Sequence, residues 1–304
     1  MKRRLFLVML IGQFPCIVFA GHLYAAERTY NVLFIQSYNH RTPWNDRLTE
    51  GVRDGLSRGG IKAKVTTGYL DADYWTFASE CVIMRRICER ARQKNTDIII
   101  TSSDEAFYTL MHCGDSLPYK LPVVISGIKY PNEKLISKLP NVCGYTSKID
   151  FVHLLENARR VFPNRTEVIC VSDSSLLGLK GVAELERIWP NFQELHPEYK
   201  MKVMNVQSQA PNPVISSICY DYNAYNRIVI APKWTPFLSF IGKNSKAPVF
   251  AGQSLALTNG VFCVHDMEPY EGANAAGKCA AQVLQGAIPS VIGVVDLPGK
   301  LLYD

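Results

Sequence analysis

The sequence lacks the short motifs that mark the common enzyme classes. It contains no GxSxG turn, no HExxH helix and no GxxxxGK[ST] phosphate loop, and no GxGxxG follows a predicted strand. The nearest match, Gly178–Gly181, falls within or beside a predicted helix and has no third glycine. The six histidines are scattered without partner spacing. These absences favour a non-catalytic protein, with no metal site and no cofactor.

An excess of one charge is also missing. The 304 residues include 33 Lys and Arg against 27 Asp and Glu, and three of the basic residues are Lys2, Arg3 and Arg4 at the N-terminus. The remaining charges are dispersed and form no basic stripe, so nucleic-acid binding is not expected. Hydrophobic residues make up 47% of the chain, and no low-complexity tract interrupts it. This composition is typical of a folded globular protein.

Cysteine motifs are absent, although the chain has nine cysteines. No CxxC or Cys/His spacing suggests a metal site. Cys81 and Cys88 fall seven residues apart on one predicted helix, about 10 Å along its axis, which is too far for them to bridge each other. Cys170 and Cys263 lie in apolar strand patterns. We expect free, buried thiols, although an oxidising compartment would permit disulfides.

Residues 1–26 have the features of a secretory signal peptide. Basic Lys2–Arg4 precede the apolar run Leu5–Ala20, and small residues follow. Cleavage is expected after Ala20 or Ala25. The alternative, an uncleaved membrane anchor, is less favoured because the apolar run is shorter than the ~20 residues that a span needs. The sequence therefore predicts export to the periplasm or another extracytoplasmic location.

Strand and helix patterns alternate from Tyr30 onward. Short apolar runs such as Asn31–Ser37 and Asp97–Thr101 indicate buried strands, and segments such as Trp75–Lys94 carry apolar residues at helical spacing. This alternation is typical of parallel sheets covered by helices on both faces. Two successive series predict an α/β fold of two doubly wound lobes. Ligands of such folds bind beyond the carboxyl ends of the strands, which here means the cleft between the lobes.

Aromatic and polar residues recur in the loops that follow the predicted strands. Rings supply flat apolar area, while hydroxyl and carboxylate groups orient a small molecule. Local roles compete with this interpretation, because Ser102–Asp104 can cap a helix and Asp173 fits a turn. Trp44 and Trp75 can equally pack on their own lobe. The predicted ligand-binding residues are Ser37, Tyr38, Trp44, Tyr74, Trp75, Ser102, Ser103, Asp104, Asp173, Trp234, Gln253 and Asp266.

The ligand expected from these loops is a small organic molecule with a flat or apolar face. A nucleoside, an aromatic acid and a sugar all fit. A hypothesis of another class is a secreted hydrolase that uses Asp71, Asp73 or Asp104. It is less favoured because no base–nucleophile arrangement accompanies these carboxylates.

Several segments, taken together, resemble a known family. They are NVLFIQSYNHRTPWNDRLTEGVRDGL, DIIITSSDEAF, PVVISGIKYPNEKLI followed by NVCGYTS, and FPNRTEVICVSD. Over residues 29–304 their order is similar to that of the ABC-transporter substrate-binding-like family, which has the type I periplasmic-binding-protein fold. The resemblance implies three crossings between the lobes. Lobe 1 would comprise residues 29–126 and 266–290, and lobe 2 residues 127–265 and 291–304, with lobe 2 cut short at its C-terminal end.

The loops that follow the first two predicted strands resemble a narrower group of proteins. SYNHRTPWND and GYLDADYW resemble the extracytoplasmic sensor regions of Bacteroides-type membrane-bound histidine kinases. The resemblance implies an input domain that signals to a kinase module through cleft closure. The alternative is a periplasmic solute-binding protein that serves an ABC permease. The implied partners are a small organic ligand, one of these two membrane modules and, as a further option, a second copy of the chain.

Overall fold

The computed structural model describes residues 28–39, 43–72, 77–206, 213–220, 222–232 and 236–304. The predicted signal peptide and three predicted ligand-binding residues, Tyr74, Trp75 and Trp234, lie outside these ranges. Within the described part of the chain, no helix has the length and apolar character needed to cross a membrane.

Helices and strands alternate along most of the described chain. The strands are β1 Tyr30–Gln36, β2 Ala63–Tyr69, β3 Ile98–Ser102, β4 Val123–Ile128, β5 Val142–Thr146, β6 Glu167–Ser172, β7 Lys200–Asn205, β8 Arg227–Ala231, β9 Val249–Ala251, β10 Cys263–Asp266, β11 Val294–Asp296 and β12 Lys300–Tyr303. The helices are α1 Pro43–Arg58, α2 Phe77–Gln93, α3 Ser103–Cys113, α4 Leu117–Lys120, α5 Glu133–Ile136, α6 Phe151–Val161, α7 Leu176–Leu195, α8 Pro213–Tyr220, α9 Pro236–Asn244, α10 Pro269–Leu284 and α11 Pro289–Ile292.

The described strands form two six-stranded sheets, one in each lobe. The sheet of lobe 1 has the order β11-β5-β4-β3-β1-β2 and is parallel throughout. The sheet of lobe 2 has the order β12-β10-β9-β8-β6-β7, and only its edge strand β12 is antiparallel to its neighbour. The predicted fold, two doubly wound α/β lobes with a cleft between them, is confirmed.

Each sheet has an apolar core on both faces, as the continuous apolar strands require. Along β1, Leu33 and Ile35 pack towards α2 and α3, whereas Val32 and Phe34 pack towards α1 and α10. The strands of lobe 2 alternate in the same way between the faces covered by α6 and α7 and by α8 and α9. Because helices cover both faces of each sheet, a ligand can approach at the carboxyl ends of the strands.

The sheet pairing corrects two of the three expected crossings. The first was expected at residue 126, but β5 pairs with β4 in lobe 1, so the chain crosses at residues 147–150. The last was expected at residue 290, but β11 also joins lobe 1 and the chain crosses at 297–299. The middle crossing lies between β10 and α10, close to the expected place. Short strands such as β5 and β11 leave too weak a pattern to say which sheet they join.

Helix α10 belongs to lobe 1, although it follows most of lobe 2 in the sequence. It packs closely on α1 because glycines line the contact. A Cβ on Gly55 would lie 2.2 Å from the carbonyl oxygen of Asn274, and one on Gly277 would lie 2.4 Å from that of Val52. At these positions only glycine lets the two backbones approach this closely.

The cysteines depart from expectation at one pair. Cys81 on α2 and Cys113 at the end of α3 form a disulfide, with their Cα atoms 5.3 Å apart. The other cysteines of the described chain are buried free thiols, as expected: Cys88, Cys143, Cys170, Cys219, Cys263 and Cys279.

Candidate functional site

A narrow cavity of about 40 Å³ lies between the lobes; we call it the inter-lobe cavity. Lobe 1 contributes the carboxyl ends of β3 and β4 and the start of α1, and lobe 2 contributes the carboxyl ends of β9 and β10. The polar and aromatic residues that line it include Trp44, Ser102, Ser103, Ser126, Lys129, Ser147, Gln253, Asp266 and Glu268.

A buried ion pair joins the two lobes in this cavity. Lys129 follows β4 in lobe 1, Asp266 ends β10 in lobe 2, and the ammonium Nζ donates to the carboxylate Oδ1. The side chains are only 6% and 7% exposed. Asp266 also accepts hydrogen bonds from the backbone N–H groups of Ser254, at 2.7 Å, and Met267, at 2.8 Å. The ammonium has a further contact with the Ser147 hydroxyl at 3.4 Å.

Asp104 holds the loop that carries Lys129. Its two carboxylate oxygens accept the backbone N–H groups of Lys129, at 2.7 Å, and Tyr130, at 3.0 Å. Burial raises the pKa of Asp104 to about 6, and the nearby charge of Glu105 adds to this shift, while the two N–H donors oppose it. Asp104 therefore positions the cavity wall, and it is not among the residues that line the cavity.

The wall at the end of β3 is held in an uncommon backbone conformation. Ser103 has φ of 70°, in the left-handed region that non-glycine residues seldom adopt. Ser37 fixes this turn, because its hydroxyl donates to the carbonyl of Ser102 at 2.8 Å and accepts the N–H of Ala106 at 2.9 Å. Strained backbone of this kind is common at ligand sites. At the carboxyl end of the neighbouring strand β4, Gly127 also has a φ of 70°.

Two aromatic side chains of lobe 1 reach across to lobe 2. The indole N–H of Trp44 donates to the hydroxyl of Ser254 at 3.0 Å. Tyr38 is fully buried within the apolar core of lobe 2, and its hydroxyl accepts from Gln253 at 2.8 Å. Its ring meets the Trp44 indole edge to face, with ring centres 5.7 Å apart. These contacts of Trp44 and Tyr38 hold the two lobes together beside the inter-lobe cavity.

The predicted ligand-binding residues divide into four groups. Trp44, Ser102, Ser103, Gln253 and Asp266 line the inter-lobe cavity. Ser37, Tyr38 and Asp104 lie behind its wall and hold the lining residues. Asp173 lies elsewhere, at the start of α7, where its carboxylate accepts the N–H of Ser175. Tyr74, Trp75 and Trp234 are outside the described residues.

Sequence reasoning missed Lys129, the cavity's buried cation. A signal for it was present, because Lys129 follows β4 as Ser103 follows β3, and both strand ends open on the same cavity. An isolated lysine in a loop is most often solvated, so the residue type alone did not single it out. Ser254 is also absent from the predicted ligand-binding residues, although its hydroxyl accepts from Trp44 and its backbone N–H donates to Asp266.

The carboxylates of the hydrolase hypothesis do not come together. Asp71 lines a separate pocket beside β2 and α2, and Asp104 has both oxygens bound to backbone N–H groups behind the inter-lobe cavity. Asp73 is outside the described residues. Asp71 and Asp104 therefore do not form the pair of carboxylates that the hydrolase hypothesis needs.

One cluster within the described residues has the side chains of a metal site. Atoms of Asp150, His153 and His265 that can act as ligands lie within 4.8 Å of one another near the first crossing. However, the backbone N–H of Asp150 donates to Nδ1 of His265 at 3.2 Å, and burial lowers the pKa of this imidazole. A neutral ring that accepts at Nδ1 carries its proton on Nε2. This hydrogen bond ties the first crossing between the lobes to the end of β10.

Comparison with known proteins matches one family model, described as ABC transporter substrate binding protein, over residues 39–301. No curated protein sequence matches the chain. Among solved structures, the ABC domain from Streptococcus pneumonia in complex with L-Trp is 17% identical, with a TM-score of 0.71 over 91% of this chain and 92% of that one.

Two other solved structures are similar over most of the chain. A conserved domain protein from Vibrio cholerae is 17% identical, with a TM-score of 0.71 over 91% of this chain and 92% of the other. A 5-methylthioribose transporter solute-binding protein from Thermotoga lettingae is 13% identical, with a TM-score of 0.55 over 90% and 85% of the two chains. At these identities the likeness establishes the fold.

Proposed function

Because the chain belongs to the ABC transporter substrate-binding protein family, we propose that it binds a small organic molecule between its lobes and that the bound molecule favours the closed arrangement. The Lys129–Asp266 ion pair carries this proposal, since each lobe contributes one charge to the same buried cavity. A ligand that binds the closed arrangement more tightly than the open one shifts the population towards closure.

The lobes have to separate before such a ligand can enter. The inter-lobe cavity has a volume of about 40 Å³, which is room for a few water molecules. Pockets that hold small organic ligands measure roughly 300–1,000 Å³. Admission therefore breaks the contacts that join the lobes here, including Lys129 to Asp266 and Trp44 to Ser254.

The chemistry of the cavity favours a zwitterion with a flat side chain, such as an aromatic amino acid. The ligand's carboxylate would take the place of Asp266 as partner of Lys129, and its ammonium would take the place of Lys129 as partner of Asp266. The Trp44 indole offers a face for an aromatic ring. The complex of the Streptococcus pneumonia domain with L-Trp supports this choice of ligand class.

Calorimetric titration with L-tryptophan, tryptamine and indole-3-propionate tests the charge pairing. L-tryptophan should bind, and each analogue, lacking one charge, should bind about 10- to 100-fold more weakly, as for a lost hydrogen bond between charged groups. Lys129→Met should weaken L-tryptophan more than tryptamine. The control is Lys300→Met, because Lys300 also pairs across the lobes, with Glu271, but both side chains are more than half exposed. Equal binding of all three compounds would refute the ligand class. So would a result in which none of the three binds while a nucleoside or a sugar does.

We further propose that the chain is the extracytoplasmic input domain of a membrane-bound histidine kinase, and that closure of the cleft signals to the kinase module. The support is the likeness of SYNHRTPWND and GYLDADYW to such sensor regions. In this case the gene's reading frame continues past Asp304 into about 20 apolar residues and a cytoplasmic kinase module. Sequencing the gene and its neighbours is the test.

The family description favours delivery of the ligand to an ABC permease as a second candidate. Both candidates use the same cleft closure, and they differ in what the closed form contacts. A stop codon shortly after Asp304 beside permease genes would favour the permease over the kinase. Uptake of the radiolabelled ligand that depends on this protein would establish the same conclusion in cells.

A further inference from the structure

Two buried thiols, Cys143 and Cys279, meet in the core of lobe 1. Cys143 lies on β5 and Cys279 on α10, and their Sγ atoms are 3.5 Å apart. They are 0% and 6% exposed and belong to the apolar cluster between the sheet and helices α1 and α10. The two residues are 136 positions apart in the sequence, so the contact is made by the fold and not by local chain geometry.

We propose that Cys143 and Cys279 form a second disulfide in the mature, exported protein. The same lobe already contains the Cys81–Cys113 disulfide, which requires an oxidising compartment. A disulfide needs a sulfur separation near 2.05 Å, so the two Sγ atoms, which lie 3.5 Å apart, have to approach by about 1.5 Å. The remaining cysteines, Cys88, Cys170, Cys219 and Cys263, are buried without a disulfide.

The bond forms by thiol–disulfide exchange with a disulfide oxidant of the compartment. One thiolate attacks the oxidant's S–S bond, and the second thiolate then displaces the oxidant from the mixed disulfide. Two protein thiols are oxidised, the oxidant's disulfide is reduced to two thiols, and both protons pass to the leaving sulfurs. In the folded lobe both thiols are buried, and the contact with Cys279 and burial raise the pKa of Cys143. An oxidant cannot reach buried thiols, so exchange takes place during folding, before α10 covers β5.

The bridge would fasten α10, a helix of lobe 1 that follows most of lobe 2 in the sequence, to strand β5. The covalent loop between residues 143 and 279 contains β6 to β10 and two of the three crossings. Closing so long a loop restricts the unfolded chain strongly and favours the folded lobe. Cys279 lies ten residues beyond Pro269, about 15 Å along α10 from its end at the cavity. The bridge thus stabilises lobe 1 without changing the inter-lobe cavity.

Thiol counting on exported, full-length protein tests the proposal. The protein is denatured in N-ethylmaleimide without reductant and its intact mass is measured. Residues 28–304 contain eight cysteines, and the proposal predicts four labelled thiols and a non-reduced peptide that joins Cys143 to Cys279. Six labelled thiols, with Cys143 and Cys279 among them, would overturn it, and so would eight.

Single variants give a result that does not depend on their stability, because labelling is done on unfolded protein. With the bridge, Cys279→Ala frees Cys143 and the count rises from four to five. Without it, the same variant lowers the count from six to five. Cys170→Ala is the matched control, since it removes a buried free thiol and lowers the count by one in either case. A rise in the count with Cys279→Ala supports the bridge, and a fall refutes it.

Discussion

Removing one partner of the Lys129–Asp266 ion pair should open the cleft, and the two partners should differ in effect. Leaving one charge of a buried pair without its partner typically costs about 3–5 kcal/mol. In Lys129→Met, Asp266 keeps the N–H groups of Ser254 and Met267, so the cost falls to about 1–3 kcal/mol. In Asp266→Asn, the Lys129 ammonium keeps the Ser147 hydroxyl and a neutral amide oxygen, so the cost stays near the upper range.

Opening of the lobes limits this cost, because it lets water reach the charge that has lost its partner. Each 1.4 kcal/mol lost from the closed arrangement raises the ratio of open to closed molecules about tenfold. Small-angle X-ray scattering of the ligand-free protein should therefore show a larger radius of gyration in Asp266→Asn than in wild type, with Lys129→Met between them. Lys300→Met should leave it unchanged, because an exposed pair contributes at most about 1 kcal/mol.

The double variant Lys129→Met/Asp266→Asn checks the electrostatic cause. It removes both charges, so no ammonium is left without its carboxylate, and the amide oxygen of the asparagine can still accept one of the two backbone N–H groups that Asp266 binds. Its radius of gyration and melting temperature should return towards wild type. If the two single variants keep the wild-type radius of gyration and melting temperature, the ion pair does not hold the lobes together and the argument fails.

The remaining predictions concern titration, the cavity wall and export. Because burial raises the pKa of Asp104 to about 6 in the folded protein, the folded state holds this proton more tightly than the unfolded chain, so stability falls as the pH rises from about 4 to about 6, by up to about 3 kcal/mol. Thermal melts of Asp104→Asn across this range should show a smaller fall than wild type, and equal slopes would contradict the assignment. Trp44→Ala should weaken the binding of an aromatic ligand by about 1–3 kcal/mol. Trp189→Phe should leave the affinity unchanged, because Trp189 lies in the lobe 2 core against α6. If Trp44→Ala lowers the melting temperature but not the affinity, Trp44 serves local packing and does not bind the ligand. N-terminal sequencing of secreted protein should begin within residues 21–27, and a chain that begins at Met1 would favour an anchor.

Much of the fold follows from local patterns that the sequence carries openly. Runs such as Asn31–Ser37 are apolar without alternation because both faces of the sheet are covered, and this distinguishes a doubly wound lobe from a half-exposed sheet. The strand-end rule likewise places Trp44, Gln253 and Asp266 at one cleft from the sequence alone, since each lies at or beyond the carboxyl end of a strand, and all three line the inter-lobe cavity.

Tertiary structure alone decided which sheet each short strand joins and which side chains meet. β5 has only five residues and β11 three, so neither pattern can place the crossings; their hydrogen-bonded neighbours do. The disulfide between Cys81 and Cys113 and the contact between Cys143 and Cys279 depend on how helices dock, which residue spacing does not encode.

The same division explains the site. The sequence by itself determined that polar and aromatic groups gather at strand ends, because the position of a residue after a strand is a local property. It did not determine that Lys129 pairs with Asp266, 137 residues away, or that Asp104 and Ser37 support the wall behind the lining residues. A buried charge is stable only with its partner, and that partner is supplied by the other lobe when the chain has crossed and folded back.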